Sequence, residues 1–326
     1  MHYPKSRAEW LALRHQYVSS TEVAALFGLS PYTTAFELAV IKKGELPDER
    51  EGNERMEWGI VLQHAIAKRI AAKYGVNVRA ISGYSTHSLQ HCRMGSSFDY
   101  QIVGITADEI SDDYITLRDM YEAHGAGILE IKNVDWLAFK DWPTGDDGEI
   151  EAPAHIEIQV QHQLACIGRT WGAIGVLVGG NKMELLVRKR DDEVHKALTT
   201  KCEKFWRDLA ANIMPPVELP ADAAIIGKLY KYAEPGKVLD KQGDAEIAAI
   251  LHAYKDAAAA KKAAEAAQDT AKAQLLMKIG DAEKVLADGF TVSAGVVAET
   301  EIEAYTRKAY RNVRITAKKA TKEKAE

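Results

Sequence analysis

Apolar and polar residues alternate with helical period through the first quarter of the chain. Ser6-Arg7-Ala8-Glu9 reads as a capping box that opens a helix through Trp10, Leu13 and Arg14. Ser20 or Thr21 is placed to cap a second helix over 22–27, stopped by Gly28. A third is expected over 35–43, stopped by Gly44. A long one follows over 55–74, with Ile60, Ile66, Ile70 and Tyr74 near helical spacing and Gly75 at its end. The pattern then turns strand-like. Segments 76–81 and 94–103 are candidate strands, and 106–125 reads as an acidic, irregular surface insertion. In 127–134 an apolar run carries Glu130 and Lys132 two residues apart, so both point to one side of a strand. Composition makes 142–148 a loop, and 155–167 is helical. Segments 171–178 and 183–188 flank the hairpin signal Gly179-Gly180-Asn181. An amphipathic helix over 191–213 ends before Pro215-Pro216. The order predicts an α/β domain with a mixed central sheet flanked by helices on both faces.

The texture changes near residue 216. Segment 244–279 is Ala- and Lys-rich and predicts one helix on the order of 54 Å long. Its middle, 257–273, has almost no large apolar residue, which leaves only a thin packing stripe. Segment 286–292 reads as a hairpin turn, 311–316 as a further strand and 317–326 as a charged, disordered tail. The expected division is therefore a core domain over 1–216 and an appendage of long helix and β-hairpin over 217–326.

At 326 residues the chain can bury a full core. No apolar run approaches the roughly 18 residues of a membrane span. The opening Met1-His2-Tyr3-Pro4-Lys5-Ser6 lacks an apolar signal core, which argues against export. Cys92, Cys166 and Cys202 lie far apart with no CxxC pair, which argues against a disulfide scaffold, a zinc ribbon or an iron–sulfur cluster and suits a reducing cytoplasm. A net charge of -5 does not advertise nucleic-acid binding, but a protein of this kind can gather its cations in one groove.

The candidate chemistry lies in the strand-like middle. Glu130 can hold a hard cation, and Lys132 beside it can steer water and phosphate. Alone, the pair reads first as a solvated cross-strand ion pair on an edge strand. Upstream, Asp99 lies in a second apolar stretch; downstream, 156–163 opens a Gln-rich helix. That order is harder to reach by chance.

Five short motifs then line up: Trp10 and Arg14 with Val18-Ser19-Ser20-Thr21-Glu22-Val23, Trp58-Gly59, Ser97-Phe98-Asp99, Glu130-Ile131-Lys132, and Gln159-Val160-Gln161. With these, roughly residues 5–213 resemble the lambda-exonuclease or YqaJ-type viral recombinases, the phage alkaline exonucleases of the PD-(D/E)xK nuclease superfamily. Two positions depart from that family: Phe98 replaces a proline, and Gln63, followed by His64, stands where a supporting glutamate is usual.

The resemblance implies a restriction-endonuclease-like core and a Mg²⁺-dependent exonuclease, with Mn²⁺ as a substitute. It implies processive 5′-to-3′ digestion of linear double-stranded DNA, release of mononucleotides and a 3′ single-stranded tail for annealing-type recombination. It also implies a ring-shaped homotrimer, a single-strand annealing protein as partner and the cytoplasm of a bacterial host. Asp99, Glu130 and the Ile131 carbonyl are the implied metal ligands, with Gln63 or His64 as a further one. Lys132 would orient and help deprotonate the attacking water, since a lysine's charge state is tunable near metal and phosphate and a guanidinium's is not. Gln159 would fix Lys132 or the water, and Gln161 belongs to the same motif on the DNA side. Arg14, Ser19, Thr21 and Ser97 would form a 5′-phosphate pocket. Met56 falls at the family's apolar wedge, with a core position as the competing reading.

His155, Gln159 and Gln163 share a helical face by spacing. His155 reads as a cap, a surface residue or a substrate contact. Arg307, Lys308, Arg311 and Arg314 alternate with Tyr305, Tyr310 and Val313, which suits a DNA backbone, a protein partner or a solvated face. The alternative functions are a structure-specific endonuclease, a nuclease of the helicase-associated type, or a non-catalytic DNA-end-binding recombination scaffold. The last would be expected to lack Asp99, Glu130 or Lys132, and all three are present.

Overall fold

Helix α1 (Arg7–Gln16) begins where the capping box predicts, with Ser6 Oγ accepting the Glu9 N–H. The computed structural model describes residues 1–47, 54–106, 112–145 and 148–299. The expected strand over 311–316, the charged tail and the basic cluster at 307–314 lie outside the described residues. After β1 (Val18–Ser19) the chain winds into a 3-10 helix, Val23–Phe27, rather than a capped α-helix. Neither expected cap serves it, because Ser20 Oγ is taken by Ser96 and Thr21 Oγ1 faces Ser19 and Arg14. Helix α2 (Ala35–Lys42) is capped by Thr34, and α3 (Glu54–Lys73) buries Ile66, Ala67 and Ile70.

Strands β2 (Val76–Ala80) and β3 (Tyr84–Thr86) follow. The segment expected as one strand over 94–103 is two, β4 (Met94–Ser97) and β5 (Tyr100–Ile105). The chain leaves one sheet at Phe98-Asp99 and enters another. Helix α4 (Asp112–His124) replaces the irregular insertion expected over 106–125; Leu117 and Met120, three apart, are buried on one face. Then come β6 (Gly127–Val134), α5 (Trp136–Lys140), α6 (Ala154–Ile167), β7 (Trp171–Val178), β8 (Lys182–Lys189), α7 (Asp192–Ala210) and α8 (Ala223–Leu229).

Five strands form the main sheet in the order β2-β5-β6-β7-β8, with only the β6–β7 pair parallel. A second sheet runs β1-β4-β3. Period-2 alternation divides β6 between two cores. Leu129 and Ile131 pack with Ile66, Ile70, Leu117 and Met120 from α3 and α4. Ile128 joins the opposite cluster, with Ile156, Val160 and Leu164 of α6 and Leu198 and Phe205 of α7. Helices thus cover both faces, as expected for the mixed α/β architecture. Gly175 on β7 lets α3 close onto the sheet, since an added Cβ there would run into the Ile70 side chain.

The chain falls into two compact units, Met1–Leu229 and Tyr230–Glu326. The first runs past the expected boundary at 216 because Asp222, fully buried, accepts a hydrogen bond from Thr34 Oγ1 at the start of α2. The second unit contains α9 (Ala245–Ile279), capped by Asp244, and the antiparallel hairpin β9 (Lys284–Ala287) with β10 (Phe290–Ser293). Helix α9 has no buried residue, in keeping with its Ala-rich middle.

Candidate active site

The register of the main sheet sets the acids side by side. Tyr100 pairs with Leu129 and Gln101 with Ile128 in the antiparallel β5–β6 ladder. One residue before β5 begins, Asp99 stands across from Glu130. Asp99 Oδ2 accepts the Ile131 N–H at 2.8 Å. The N–H and C=O of one strand residue point to the same side, so the Ile131 carbonyl also faces Asp99.

Glu130 and Lys132 point from β6 toward α6, and the α6 face meets them. Glu130 Oε1 accepts from Lys132 Nζ at 2.7 Å and from Gln159 Nε2 at 2.6 Å. Its Oε2 accepts from Gln163 Nε2 at 2.7 Å, and Lys132 Nζ also donates to Gln159 Oε1 at 3.0 Å. Strand and helix run in opposite senses here: Gln163 meets residue 130, and Gln159 meets both 130 and 132. Glu130 is buried, while the Lys132 side chain keeps 22% of its exposure. The competing reading of Glu130 and Lys132 as an edge-strand ion pair therefore fails, because β6 is the central strand and its acid is covered by a helix.

Burial pushes the Asp99 carboxyl up to about 7, and the neighbouring Glu130 carboxylate pushes it the same way. The Ile131 N–H, the Lys132 ammonium and a hydrogen bond from the Gln63 side chain only partly oppose this. Gln63 thus reaches Asp99 from α3, whereas His64 Nδ1 lies 3.3 Å from the Tyr100 hydroxyl. Among the described residues no group of three or more His, Cys, Asp or Glu could hold a metal. What the site offers instead is two carboxylates, a backbone carbonyl and an amide, all hard oxygen donors. A carboxylate pair strained by its own repulsion, with acceptor capacity to spare on Asp99, fits a hard divalent cation that keeps part of its water shell.

Arg14, Ser19, Thr21 and Ser97 also come together. Arg14 Nη2 donates to Ser19 Oγ at 3.1 Å and to Thr21 Oγ1 at 3.5 Å. Its guanidinium lies over the Trp10 ring, 4.8 Å from the centroid, and the Trp10 Nε1–H donates to Ser97 Oγ at 2.9 Å. Behind them is Glu22, a member of the opening motif to which the sequence assigns no role of its own. Glu22, with its side chain 1% exposed, accepts from Arg14 Nη2 at 2.9 Å and Lys42 Nζ at 2.8 Å. It also accepts the Ser19 N–H at 2.9 Å. Lys42 in turn donates to the Arg14 carbonyl at 2.7 Å. Lys42 lies 20 residues from Glu22, and nothing local signals the pairing.

Two expected residues sit elsewhere. Gln161 faces away from the carboxylates; its Nε2 donates to the Lys189 carbonyl and its Oε1 accepts the Asp191 N–H, which fastens α6 to the start of α7. Gln163 lies on the carboxylate face with Gln159, as their spacing leads one to expect. Met56 is half exposed on α3, which removes the core reading, and Trp58, Ile60 and Val61 beside it are exposed as well.

An acid at a strand end, a Glu-x-Lys on the adjacent central strand and amides from the covering helix make up the PD-(D/E)xK arrangement in a mixed sheet with helices on both faces. Residues 9–170 match the family model of the YqaJ-like viral recombinase domain. Uncharacterized protein YqaJ of Bacillus subtilis (strain 168) is 28% identical over 239 residues, covering 72% of this chain and 67% of its own. Among solved structures, an alkaline exonuclease (LHK-Exo) from Laribacter hongkongensis aligns over 63% of this chain and 93% of its own, with 19% identity and a TM-score of 0.42. A phage related exonuclease from Haemophilus somnus 129PT aligns over 64% and 90%, with 14% identity and a TM-score of 0.36. Residues 9–170 are a YqaJ-like viral recombinase domain.

Proposed function

We propose that this protein is a Mg²⁺-dependent exonuclease that digests one strand of linear double-stranded DNA from its 5′ end. The observation that carries the reading is the Asp99–Glu130–Lys132–Gln159 cluster: two adjacent acids, one pushed toward its neutral form by burial and by the other, and an ammonium that reaches water. Asp99, Glu130, the Ile131 carbonyl and the Gln63 amide would hold the cation. Once bound, a divalent ion neutralises phosphate charge and acidifies water. Lys132, braced by Glu130 and Gln159, orients the attacking water. Gln159 and Gln163 keep Glu130 in one rotamer throughout. Arg14, with Ser19, Thr21 and Ser97, binds the terminal 5′-phosphate, which sets polarity. Exposed Met56 and Trp58 suit an apolar wedge at the duplex end.

The rest of the reading follows from the family: a processive trimeric ring, a 3′ single-stranded product, release of 5′-mononucleotides, and a single-strand annealing protein as partner in the bacterial cytoplasm. No helix among the described residues is long and apolar enough to cross a membrane.

The test is digestion of a linear duplex labelled at either end, with Mg²⁺ and with chelator. Early Mg²⁺-dependent release of the 5′ label, with the 3′ label retained on a long single strand, is expected. Cutting of closed circles without end release would make the protein an endonuclease. Binding of ends without any cutting would make it a scaffold.

A further inference from the structure

We propose that Tyr32 and His155 form a stacking site for the unpaired nucleobase beside the phosphate being cut. The inference rests on the nuclease reading and extends it to a subsite for the base. The two rings come from separate segments: Tyr32 from the loop between the 3-10 helix and α2, His155 from the first turn of α6. Their centroids are 5.8 Å apart and their planes meet at 88°, edge against face. Tyr32 is 81% exposed. Its loop is nonetheless fixed, because Ser30 Oγ accepts the N–H of both Tyr32 and Thr33 at 3.2 Å. An aromatic ring held out to water by a pinned backbone has a face to offer a ligand.

The position of the pair says which ligand. His155 is one turn before Gln159 on the same face of α6. Gln163, Gln159 and His155 therefore step outward along the site, opposite Glu130, then Lys132, then the open end. Burial and the Lys132 ammonium hold the His155 imidazole below its ordinary value, so the ring is neutral at neutral pH. A flat, neutral ring pair next to the catalytic lysine suits a base and not a phosphate. Tyr32 follows the same segment that supplies Ser19 and Thr21 to the Arg14 pocket. An enzyme that removes successive nucleotides from a duplex must hold each base it has unpaired, whatever its identity. Stacking on a π face does this without sequence preference.

The test uses the full-length protein, Mg²⁺ and 5′-phosphorylated duplexes whose terminal nucleotides are normal or abasic. On normal ends Tyr32→Ala should raise KM by roughly ten-fold with kcat near the wild-type value. On abasic ends wild type and Tyr32→Ala should be alike. Tyr32→Trp should recover the normal KM, and His155→Ala should shift KM in the same direction by less. Equal effects of Tyr32→Ala on both substrates, or none on either, would overturn the proposal. So would a fall in kcat for His155→Ala with KM unchanged, which would assign that ring to proton transfer. Fluorescence of 2-aminopurine at the duplex terminus, read in Ca²⁺, separates this proposal from the nuclease reading. Quenching by wild type and not by Tyr32→Ala supports stacking even if nothing is cut, and equal quenching by both rejects it even if cutting is normal.

Discussion

The proposed catalytic cluster and the proposed phosphate pocket are built from the same parts with opposite sign. In the first, two carboxylates, Asp99 and Glu130, surround one ammonium, Lys132. In the second, two cations, Arg14 and Lys42, surround one carboxylate, Glu22. The difference lies in where the minority charge sits. Glu22 is the deepest of its three, with its side chain 1% exposed, and it holds both cations and a backbone N–H at once. Lys132 is more open than the Glu130 it bridges, 22% against 7%. A buried minority charge is a scaffold that fixes the geometry of its partners. An open one can meet water and act.

That contrast can be broken by experiment. The largest expected effect is on chemistry. Asp99→Ala or Lys132→Met should lower cleavage of a linear duplex by roughly three orders of magnitude or more while end binding persists in a gel-shift assay. Unchanged cutting would remove the site assignment. Next comes folding. Glu22→Gln leaves two buried cations without their counter-charge and should cost about 3–5 kcal/mol, on the order of 10 °C in Tm. Lys132→Met should move Tm by no more than a few degrees, since Gln159 and Gln163 still satisfy Glu130. Similar Tm losses for the two would erase the distinction drawn between them.

A smaller effect tests the pocket. Arg14→Ala should slow digestion of 5′-phosphorylated ends about ten-fold more than of 5′-hydroxyl ends. Equal slowing would move the phosphate elsewhere.

The smallest is a pH dependence. With the folded-state Asp99 carboxyl raised to about 7 and the unfolded one near 3.8, the unfolded chain ionises first as pH rises. The stability this group contributes is present below pH 3.8 and is lost through about pH 7. Metal-free wild type should therefore lose a few degrees of Tm across that window relative to Asp99→Asn. A divalent cation should return most of them above pH 7. Parallel Tm curves for the two proteins would show that Asp99 is not held up.

Much of this was legible in the sequence because it is local. The Glu130-x-Lys132 alternation, the α6 face of residues 155, 159 and 163, the Gly-terminated helices and the hairpin at Gly179 each follow from a short-range period. Most of the failures are long-range. Nothing near Phe98 says that the chain changes sheets there, since the two halves of 94–103 are equally strand-like. Acidic residues masked the apolar pair Leu117 and Met120 of α4. The pairing of Glu22 with Lys42, and of Thr34 with Asp222 past the expected domain boundary, depends on residues that meet only after folding.

The tie between Asp99 and β6 is a main-chain N–H. No codon encodes it separately, so side-chain substitutions at position 131 can vary bulk and branching while the carboxylate stays anchored. Only proline, which has no N–H to give, would cut the tether. The alignment of the two acids is thus carried by the backbone and shielded from most point mutation, and drift in this protein should reach the flanking side chains long before it reaches that bond.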